Sequence, residues 1–255
     1  MNVTQHVDQL LSLVFASQCV SCQSPIEPDE FTGSNARQFG TRDWCDDCWR
    51  NLPGIDRGCC QVCGALSQHP ALPRIPCGPC RGLKFRFRQT VAIGDYEGLL
   101  KQLVLDSKNR KDEPLSLQLG KLLGWRLERF DFLTSIDFMI PVATPWQRRL
   151  KRGFHGAAVI AEGVQAVTAI PIHSGVVGCT RSTGKQGMLS PSQRRANVRD
   201  AFAVRPLVNV NRANVLVIDD VMTSGATMNE VARVLMEAGA ANVYGGVLAR
   251  GTHSR

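Results

Sequence analysis

A chain of 255 residues, 44% of them hydrophobic, can fill one substantial core and still leave residues for a small accessory module. Its formal net charge of +8 is unevenly distributed: residues 1–80 hold 5 basic and 8 acidic groups (−3), and residues 81–255 hold 25 and 14 (+11). No stretch approaches the roughly 20 apolar residues of a membrane-spanning helix, which excludes such a span. Any contact with nucleic acid is expected in the basic C-terminal part.

The N-terminal part is dominated by cysteine. Nine of the ten cysteines precede residue 81, and eight of them form four Cys-x-x-Cys pairs. Two such pairs can surround one ion with four thiolates, the usual structural zinc site, so we predict two structural Zn²⁺ sites. Pairing neighbours in sequence assigns one ion to Cys19, Cys22, Cys45 and Cys48, and the other to Cys60, Cys63, Cys77 and Cys80.

Two details of this zinc ligation stay open at the level of sequence. The same pairs are compatible with a cross-braced arrangement, and Cys59 stands next to Cys60 and could replace it. A disulfide framework is the alternative to zinc. However, residues 1–18 lack the basic start, apolar run and cleavage site of a secretory signal. A cytoplasmic protein with reduced, metal-binding cysteines is therefore the favoured interpretation.

The cysteine-rich region ends around residues 81–89, where basic residues alternate with Phe85 and Phe87. Alternation of this kind is typical of a half-buried strand, and also of a segment that contacts single-stranded nucleic acid by stacking and charge. We favour a strand at the seam between two domains. The predicted domains are a double zinc ribbon at 1–82 and an α/β domain at 83–255.

Alternating short apolar runs and helical apolar spacing follow in the second domain, which predicts a sheet of parallel strands flanked by helices. Pro114 suits the first turn of one helix. The predicted strands are 91–96, 138–142, 215–218 and 243–248, and the predicted helices begin near Leu99 and span 115–130, 157–167 and 226–238.

Two polar segments lie between these elements. The loop that follows strand 138–142 carries Arg148, Arg149 and Arg152, and such a loop at the carboxyl end of a strand can neutralise a pyrophosphate. A solvated run of charge is the alternative. Residues 181–187 are polar, flexible and basic, which favours a mobile lid over a plain surface loop.

The most informative segment is residues 215–227. The apolar run Val215–Ile218 is too short for a helix and indicates a central parallel strand, with Asp219 and Asp220 at its carboxyl end. Ligands of open α/β sheets bind at that end, and the N-terminus of the following helix suits a phosphate. Carboxylates suit ribose hydroxyls or Mg²⁺, while Gly225 lets the backbone approach an anion closely. These residues together predict a sugar-phosphate site.

This segment resembles the 5-phosphoribosyl-1-pyrophosphate (PRPP) loop of type I phosphoribosyltransferases. Nearly the whole chain resembles the ComF family (GntX-like), the competence and DNA-utilisation proteins that join a double zinc ribbon to a phosphoribosyltransferase domain. The motifs that carry the resemblance are the four Cys pairs, Tyr96-Glu97-Gly98, Arg148-Arg149-Leu150-Lys151-Arg152-Gly153-Phe154, Arg195-Ala196-Asn197-Val198, the PRPP loop and Leu248-Ala249-Arg250.

The resemblance implies a type I phosphoribosyltransferase-like parallel sheet flanked by helices, and PRPP bound together with Mg²⁺. It assigns the ribose hydroxyls to Asp219 and Asp220, which would also be the catalytic residues, and the pyrophosphate side to Arg148, Arg149 and Arg152. The 5-phosphate falls to residues 223–227. The whole PRPP-binding segment comprises Asp219, Asp220, Val221, Met222, Thr223, Ser224, Gly225, Ala226 and Thr227.

The chain departs from the usual family pattern on the pyrophosphate side. Pro141-Val142-Ala143-Thr144-Pro145 stands where the family commonly shows Pro-x-Pro-Leu-His, and His155-Gly156 stands where Asn-Gln is usual. Whether phosphoribosyl transfer occurs, and onto which acceptor, therefore stays open at this level.

Three classes of function follow from the sequence. The first is a PRPP-binding, phosphoribosyltransferase-like protein of nucleotide metabolism that releases pyrophosphate and serves DNA uptake, competence or the use of external DNA as a nutrient. The second is a non-catalytic protein that binds single-stranded DNA through its basic C-terminal domain, with PRPP as a regulatory ligand. The third is an adaptor whose zinc ribbon docks onto a DNA-uptake helicase or another competence protein.

Overall fold

The computed structural model describes residues 18–26, 43–52, 57–66, 77–109, 112–143, 155–182, 190–206 and 208–251. The chain divides into two compact units, Met1–Leu52 and Pro53–Arg255. The helices are α1 (Asp46–Arg50), α2 (Gly98–Asp106), α3 (Glu113–Leu127), α4 (Gly156–Thr168), α5 (Pro191–Val198) and α6 (Ala226–Glu237). The strands are β1 (Gln89–Asp95), β2 (Phe138–Pro141), β3 (Val177–Cys179), β4 (Phe202–Val204), β5 (Asn214–Met222) and β6 (Asn242–Arg250).

Four of these strands form one sheet in the order β1-β6-β5-β2, and every neighbouring pair is parallel. The two central strands are apolar on both faces, as expected for a parallel sheet covered on both sides. Residues 215–218 of β5 and 243–250 of β6 are all buried. The predicted parallel sheet flanked by helices is therefore confirmed.

Helices cover the two faces of this sheet, and two adjacent glycines of β6 show which helix lies on which face. A Cβ placed on Gly245 would meet Met228 of α6, and one on Gly246 would meet Leu123 and Leu127 of α3. Successive residues of a strand point to opposite faces. α6 and α3 therefore lie on opposite sides of the sheet.

Helix α4 packs beside α3 at very short range. A Cβ on Gly120 would lie 2.3 Å from the carbonyl oxygen of Ile160, and one on Gly163 would lie 2.2 Å from that of Leu117. Larger side chains at either glycine would force the helices apart. The short strands β3 and β4 pair with each other in antiparallel fashion and stand outside the main sheet.

Two sequence predictions need correction. The segment around Phe85 and Phe87 is not a strand, since regular pairing begins only at Gln89. Both rings nevertheless turn inward and stack, with centroids 4.5 Å apart, while Lys84, Arg86 and Arg88 are exposed. The second correction is that β5 continues beyond Ile218 to Met222, because β6 remains beside it after β2 has ended.

Among the helices in the described part of the chain, none combines the length and apolar character that crossing a membrane requires.

Candidate functional site

The junction between β5 and α6 forms a cleft at the carboxyl edge of the sheet. The last residues of β5 include Asp219 and Asp220, and α6 begins at Ala226. The connecting turn ends in Gly225, which is the N-cap residue of α6 and has a left-handed backbone (φ 73°) that glycine adopts without strain. The cleft measures about 260 Å³, counting space open to solvent, and is lined by Asp219 and residues 221–228. The first N–H groups of a helix lack intrahelical partners and point toward such a space.

The two acidic side chains are held by the backbone that follows them. Oδ1 of Asp219 accepts from the amide of Asp220 at 2.9 Å, and Oδ1 of Asp220 accepts from the amide of Val221 at 2.7 Å. Burial raises the pKa of Asp219 well above the ordinary carboxyl value, and the neighbouring Asp220 carboxylate raises it further. A cation or hydroxyl donors would therefore stabilise the ionised carboxylates, and this is the chemistry expected of a site for Mg²⁺ or ribose.

A cation from elsewhere in the chain already reaches this acidic pair. Nζ of Lys108, two residues beyond the end of α2, lies 3.1 Å from Oδ2 of Asp220, and both side chains are about one third exposed (31% and 33%). Lys108 is not among the site residues predicted from the sequence. The spacing along the chain provides no local signal for a contact between residues so far apart.

A second basic residue supports the turn from beneath. Arg250 at the end of β6 is 2% exposed, and its Nη1 donates to the carbonyl oxygens of Met222 (2.9 Å), Thr223 and Gly251. Arg250 is directly opposite Met222 in the pairing of β6 with β5. One buried guanidinium therefore binds carbonyl oxygens on both sides of the cleft turn, at Met222 and Thr223 of its start and at Gly251 after β6. In the sequence, Arg250 was marked only by its place in the family motif Leu248-Ala249-Arg250.

The predicted pyrophosphate residues Arg148, Arg149 and Arg152 lie outside the described residues. The two ends of their loop are described. The amide of Val142 donates to the carbonyl of Ile218 at 2.8 Å, and Nε2 of His155 lies 3.0 Å from the carbonyl oxygen of Val142. The loop therefore leaves and rejoins the fold beside the residue that precedes Asp219.

The cysteine pairs gather into two groups of four. Cys19, Cys22, Cys45 and Cys48 form one, and Cys60, Cys63, Cys77 and Cys80 form the other, with all sulfur atoms of a group within 4.8 Å of one another. In the second group Sγ–Sγ distances are 3.8 Å (Cys60–Cys80), 3.4 Å (Cys63–Cys77) and 3.5 Å (Cys77–Cys80). Four sulfurs at about 2.3 Å from a tetrahedral Zn²⁺ would stand about 3.8 Å apart. The residues present therefore fit that ion.

The pKa values of these thiols also favour a bound cation in each group. A hydrogen bond from Cys63 lowers the pKa of Cys60 to about 4, while burial raises the pKa of Cys80 to about 12. In the first group, hydrogen bonds from Ser24 lower the pKa of Cys22 to about 6, and burial raises that of Cys48 to about 12. Four thiolates in one group therefore need a cation to coexist. None of the ten cysteines forms a disulfide.

Cys59 is not a member of the second group. It is buried, and burial raises the pKa of its thiol. The sulfur groups join pairs that are neighbours in sequence, and the described residues contain no cross-braced arrangement.

Comparisons with known proteins agree with this architecture. The sequence model of the phosphoribosyl transferase domain family matches residues 151–255 of this chain. The DNA utilization protein YhgH of Escherichia coli K12 is 30% identical over 204 residues, covering 78% of this chain and 86% of that protein. Competence protein F of Haemophilus influenzae is 27% identical over 210 residues, covering 81% and 90%.

Among solved structures, a hypothetical protein from Neisseria gonorrhoeae with bound ppGpp matches 58% of this chain and 72% of its own, at 18% identity and a TM-score of 0.36. A likeness at that score has no bearing on function. The sequence relatives and the matched domain are decisive: the chain belongs to the ComF family, the family of DNA utilization protein YhgH and competence protein F.

Proposed function

We propose that the protein binds PRPP with Mg²⁺ at the β5–α6 junction, and that it acts in the cytoplasm in the uptake or use of DNA. One observation carries the proposal. Asp219 of the acidic pair, a left-handed glycine turn and a helix N-terminus line one cleft at the carboxyl edge of a parallel sheet. The names of the relatives, DNA utilization protein and competence protein, support the physiological role.

Each part of the cleft suits one part of PRPP. The 5-phosphate would accept hydrogen bonds from the turn 223–227 and the first amides of α6, with the helix dipole favouring its charge. Asp219 and Asp220 would accept hydrogen bonds from the ribose hydroxyls. The pyrophosphate would extend toward the loop that carries Arg148, Arg149 and Arg152. Mg²⁺, when bound with PRPP, would neutralise pyrophosphate oxygens.

If the protein is also an enzyme, transfer would rest on positioning and electrostatics. The chain would supply a phosphate cradle from the turn 223–227, the carboxylates of Asp219 and Asp220 for the ribose hydroxyls, and Arg148, Arg149 and Arg152 for the pyrophosphate. Binding is the part of the proposal on which turnover depends. Release of pyrophosphate that requires an added acceptor base would extend the proposal to catalysis.

The two cysteine groups would each hold one Zn²⁺ as a structural ion. The support is the sulfur geometry given above. The domain division that we propose remains a double zinc ribbon at 1–82 and a phosphoribosyltransferase-like domain at 83–255.

Calorimetric titration of Mg²⁺ and PRPP into the zinc-loaded chain tests the proposal. We expect saturable binding that disappears in the double variant Asp219→Asn, Asp220→Asn. The matched control is Glu128→Gln, Asp131→Asn, which makes the same change of charge at two exposed positions outside the cleft. No binding to the wild-type chain, or equal loss in the control, would overturn the proposal.

Single-stranded DNA binding is the second candidate, because residues 81–255 carry +11 and Lys84, Arg86 and Arg88 are exposed together on one segment. Binding of this kind weakens steeply with salt. Oligonucleotide binding that falls about tenfold or more between low and physiological salt, and that survives loss of the acidic pair, would favour it over the PRPP proposal.

A further inference from the structure

The aromatic segment that follows the second cysteine group packs directly on the phosphate-binding turn. A Cβ placed on Gly225 would lie only 3.0 Å from Cε1 and 3.5 Å from Cζ of Phe85. The ring therefore covers the one residue of the turn that has left-handed backbone. Gly225 is buried, and Phe85 is partly buried.

The backbone of the same segment is fastened to the first turn of α6. The amide of Arg86 donates to Oδ1 of Asn229 at 2.6 Å, and the amide of Asn229 donates to the carbonyl of Gly225 at 2.8 Å. Two residues further on, the amide of Arg88 donates to the carbonyl of Val243 at 2.7 Å. The segment 81–88 is thus held against the start of α6 by an aromatic contact and a hydrogen bond.

The other end of this segment is held by the cysteine group. The amide of Arg81 donates to the carbonyl of Cys77 at 2.9 Å, and the amide of Leu83 donates to that of Cys80 at 3.1 Å. Cys80 is fully buried, and only four residues separate it from Phe85. Phe87, which stacks on Phe85, shares one apolar core with Cys60, Cys63, Cys80, Met222 and Ala226.

The cysteine group also contacts the edge of the sheet. The amide of Thr90 in β1 donates to the carbonyl of Val62 at 3.1 Å, and a Cβ on Gly64 would lie 2.9 Å from the carbonyl oxygen of Thr90. The turn between Cys60 and Cys63 is therefore seated on the sheet whose edge forms the cleft. Residues 83–88 have no helix or strand of their own, so their position depends on what anchors their two ends.

We propose that Phe85 is a positioning residue for the phosphate-binding turn, and that metal bound by Cys60, Cys63, Cys77 and Cys80 holds it there. The metal fixes the knuckle at Cys77–Cys80, the knuckle fixes the start of segment 81–88, and Phe85 then presses on Gly225. The inference rests on the proposed function for its ligand. It assigns the two cysteine groups different roles: only the second determines the geometry of the PRPP loop.

Coupling between sites is reciprocal, so the inference has a second consequence. If metal in the second group favours the PRPP-binding form of the turn, PRPP must slow the loss of that metal. The first group, which belongs to the other compact unit, provides the internal control.

The experiment uses the full-length, zinc-loaded chain and four variants. Phe85→Ala and Phe85→Leu leave all cysteines intact, Cys77→Ser, Cys80→Ser opens the second group, and Cys45→Ser, Cys48→Ser opens the first. For each protein, metal content, the affinity for PRPP with Mg²⁺, and the hydrogen exchange of residues 222–229 are measured. Exchange in β5 and β6 serves as the control for an intact fold.

We expect Phe85→Ala to keep two metal ions, to weaken PRPP binding about tenfold, within the usual range for coupled sites, and to speed exchange at residues 222–229. Phe85→Leu restores most of the affinity. The second-group variant loses one metal ion and shows the same weaker binding and faster exchange as Phe85→Ala, and the first-group variant keeps wild-type affinity. In the wild-type chain, PRPP slows chelator extraction of one zinc ion but not of the other.

Wild-type affinity and exchange in Phe85→Ala would overturn the inference, as would equal losses in the two cysteine variants. If the second-group variant loses its fold, the comparison of Phe85→Ala with Phe85→Leu tests the inference by itself, because both of these variants retain the metal. A wild-type chain that does not bind PRPP refutes the proposed function only. Faster exchange at 222–229 in Phe85→Ala would then still support the positioning role.

Discussion

Nζ of Lys108 lies 3.1 Å from Oδ2 of Asp220. The contact joins the segment after α2 to the end of β5, and it brings a cation to an acidic pair in which burial raises the pKa of Asp219. Lys108 lies outside residues 151–255, the part of the chain that matches the phosphoribosyl transferase domain. The candidate site is therefore completed by residues that precede that domain.

We predict that Lys108→Met weakens binding of PRPP with Mg²⁺ about fivefold at neutral pH, since a partly exposed pair is worth about 1 kcal/mol or less. The pH at which binding is half-maximal should also rise, because Lys108 lowers the pKa of Asp219 and its loss makes that carboxyl harder to ionise. Calorimetry between pH 6 and 8.5 measures both effects. Lys108→Arg should restore the profile, and Lys101→Met, exposed on α2, should leave it unchanged. Identical profiles for Lys108→Met and the wild type would contradict the prediction.

Asp219 should make the unliganded protein less stable at neutral pH. Burial raises its pKa, so it stabilises the fold most below the unfolded value of about 3.9, and this contribution is lost as the pH rises through the raised folded value. We predict that Asp219→Asn raises Tm at pH 7 by about 2–4 °C, the shift expected for about 1 kcal/mol in a domain of this size. Thermal denaturation between pH 5 and 8 is the measurement.

Asp220→Asn is the control for that prediction. It removes the ion pair with Lys108 and should bring no gain in Tm, although both variants lose PRPP binding. A lower Tm for Asp219→Asn than for the wild type at pH 7 would show that the carboxylate of Asp219 does not destabilise the folded protein.

Arg250 should be a strong determinant of stability. Its Nη1 donates to three carbonyls, and its side chain is buried, so Arg250→Met leaves acceptors unsatisfied while keeping most of the apolar stem. We predict a loss of about 2–4 kcal/mol in the free energy of unfolding, measured by urea denaturation. Arg195→Met, exposed on α5, should cost less than about 0.5 kcal/mol. Equal unfolding midpoints for the two variants would show that the hydrogen bonds of Arg250 do not stabilise the fold.

Metal analysis separates the two adjacent cysteines. Cys60 is within the second sulfur group and Cys59 is not, so we predict that the purified wild type and Cys59→Ser each carry two zinc ions per chain. Cys60→Ser should carry one, because a site reduced to three thiolates loses most of its affinity. Elemental analysis after dialysis against a weak chelator measures this. Loss of metal from Cys59→Ser would move the ligand assignment by one residue.

Several elements could be predicted from local pattern alone. The helix with Val231, Val234 and Leu235 at helical spacing runs from Ala226 to Glu237, and Gly239 follows it with φ 101°. The segment near Phe85 shows the limit of this reasoning. Its alternation correctly indicated which side chains turn inward, but the backbone at Arg86 bonds to the side chain of Asn229 in α6, and bonding to β6 begins only with the amide of Arg88.

The sequence by itself determined the strand–turn–helix with its acidic pair and the knuckles of the cysteine pairs, because each depends on residues a few positions apart whose geometry is local. Only the tertiary structure decided what surrounds them. Lys108 at the acids, Phe85 on Gly225 and Arg250 beneath the turn are contacts between distant parts of the chain. They follow from the order of strands in the sheet and from which face each segment packs against, and no local spacing encodes either.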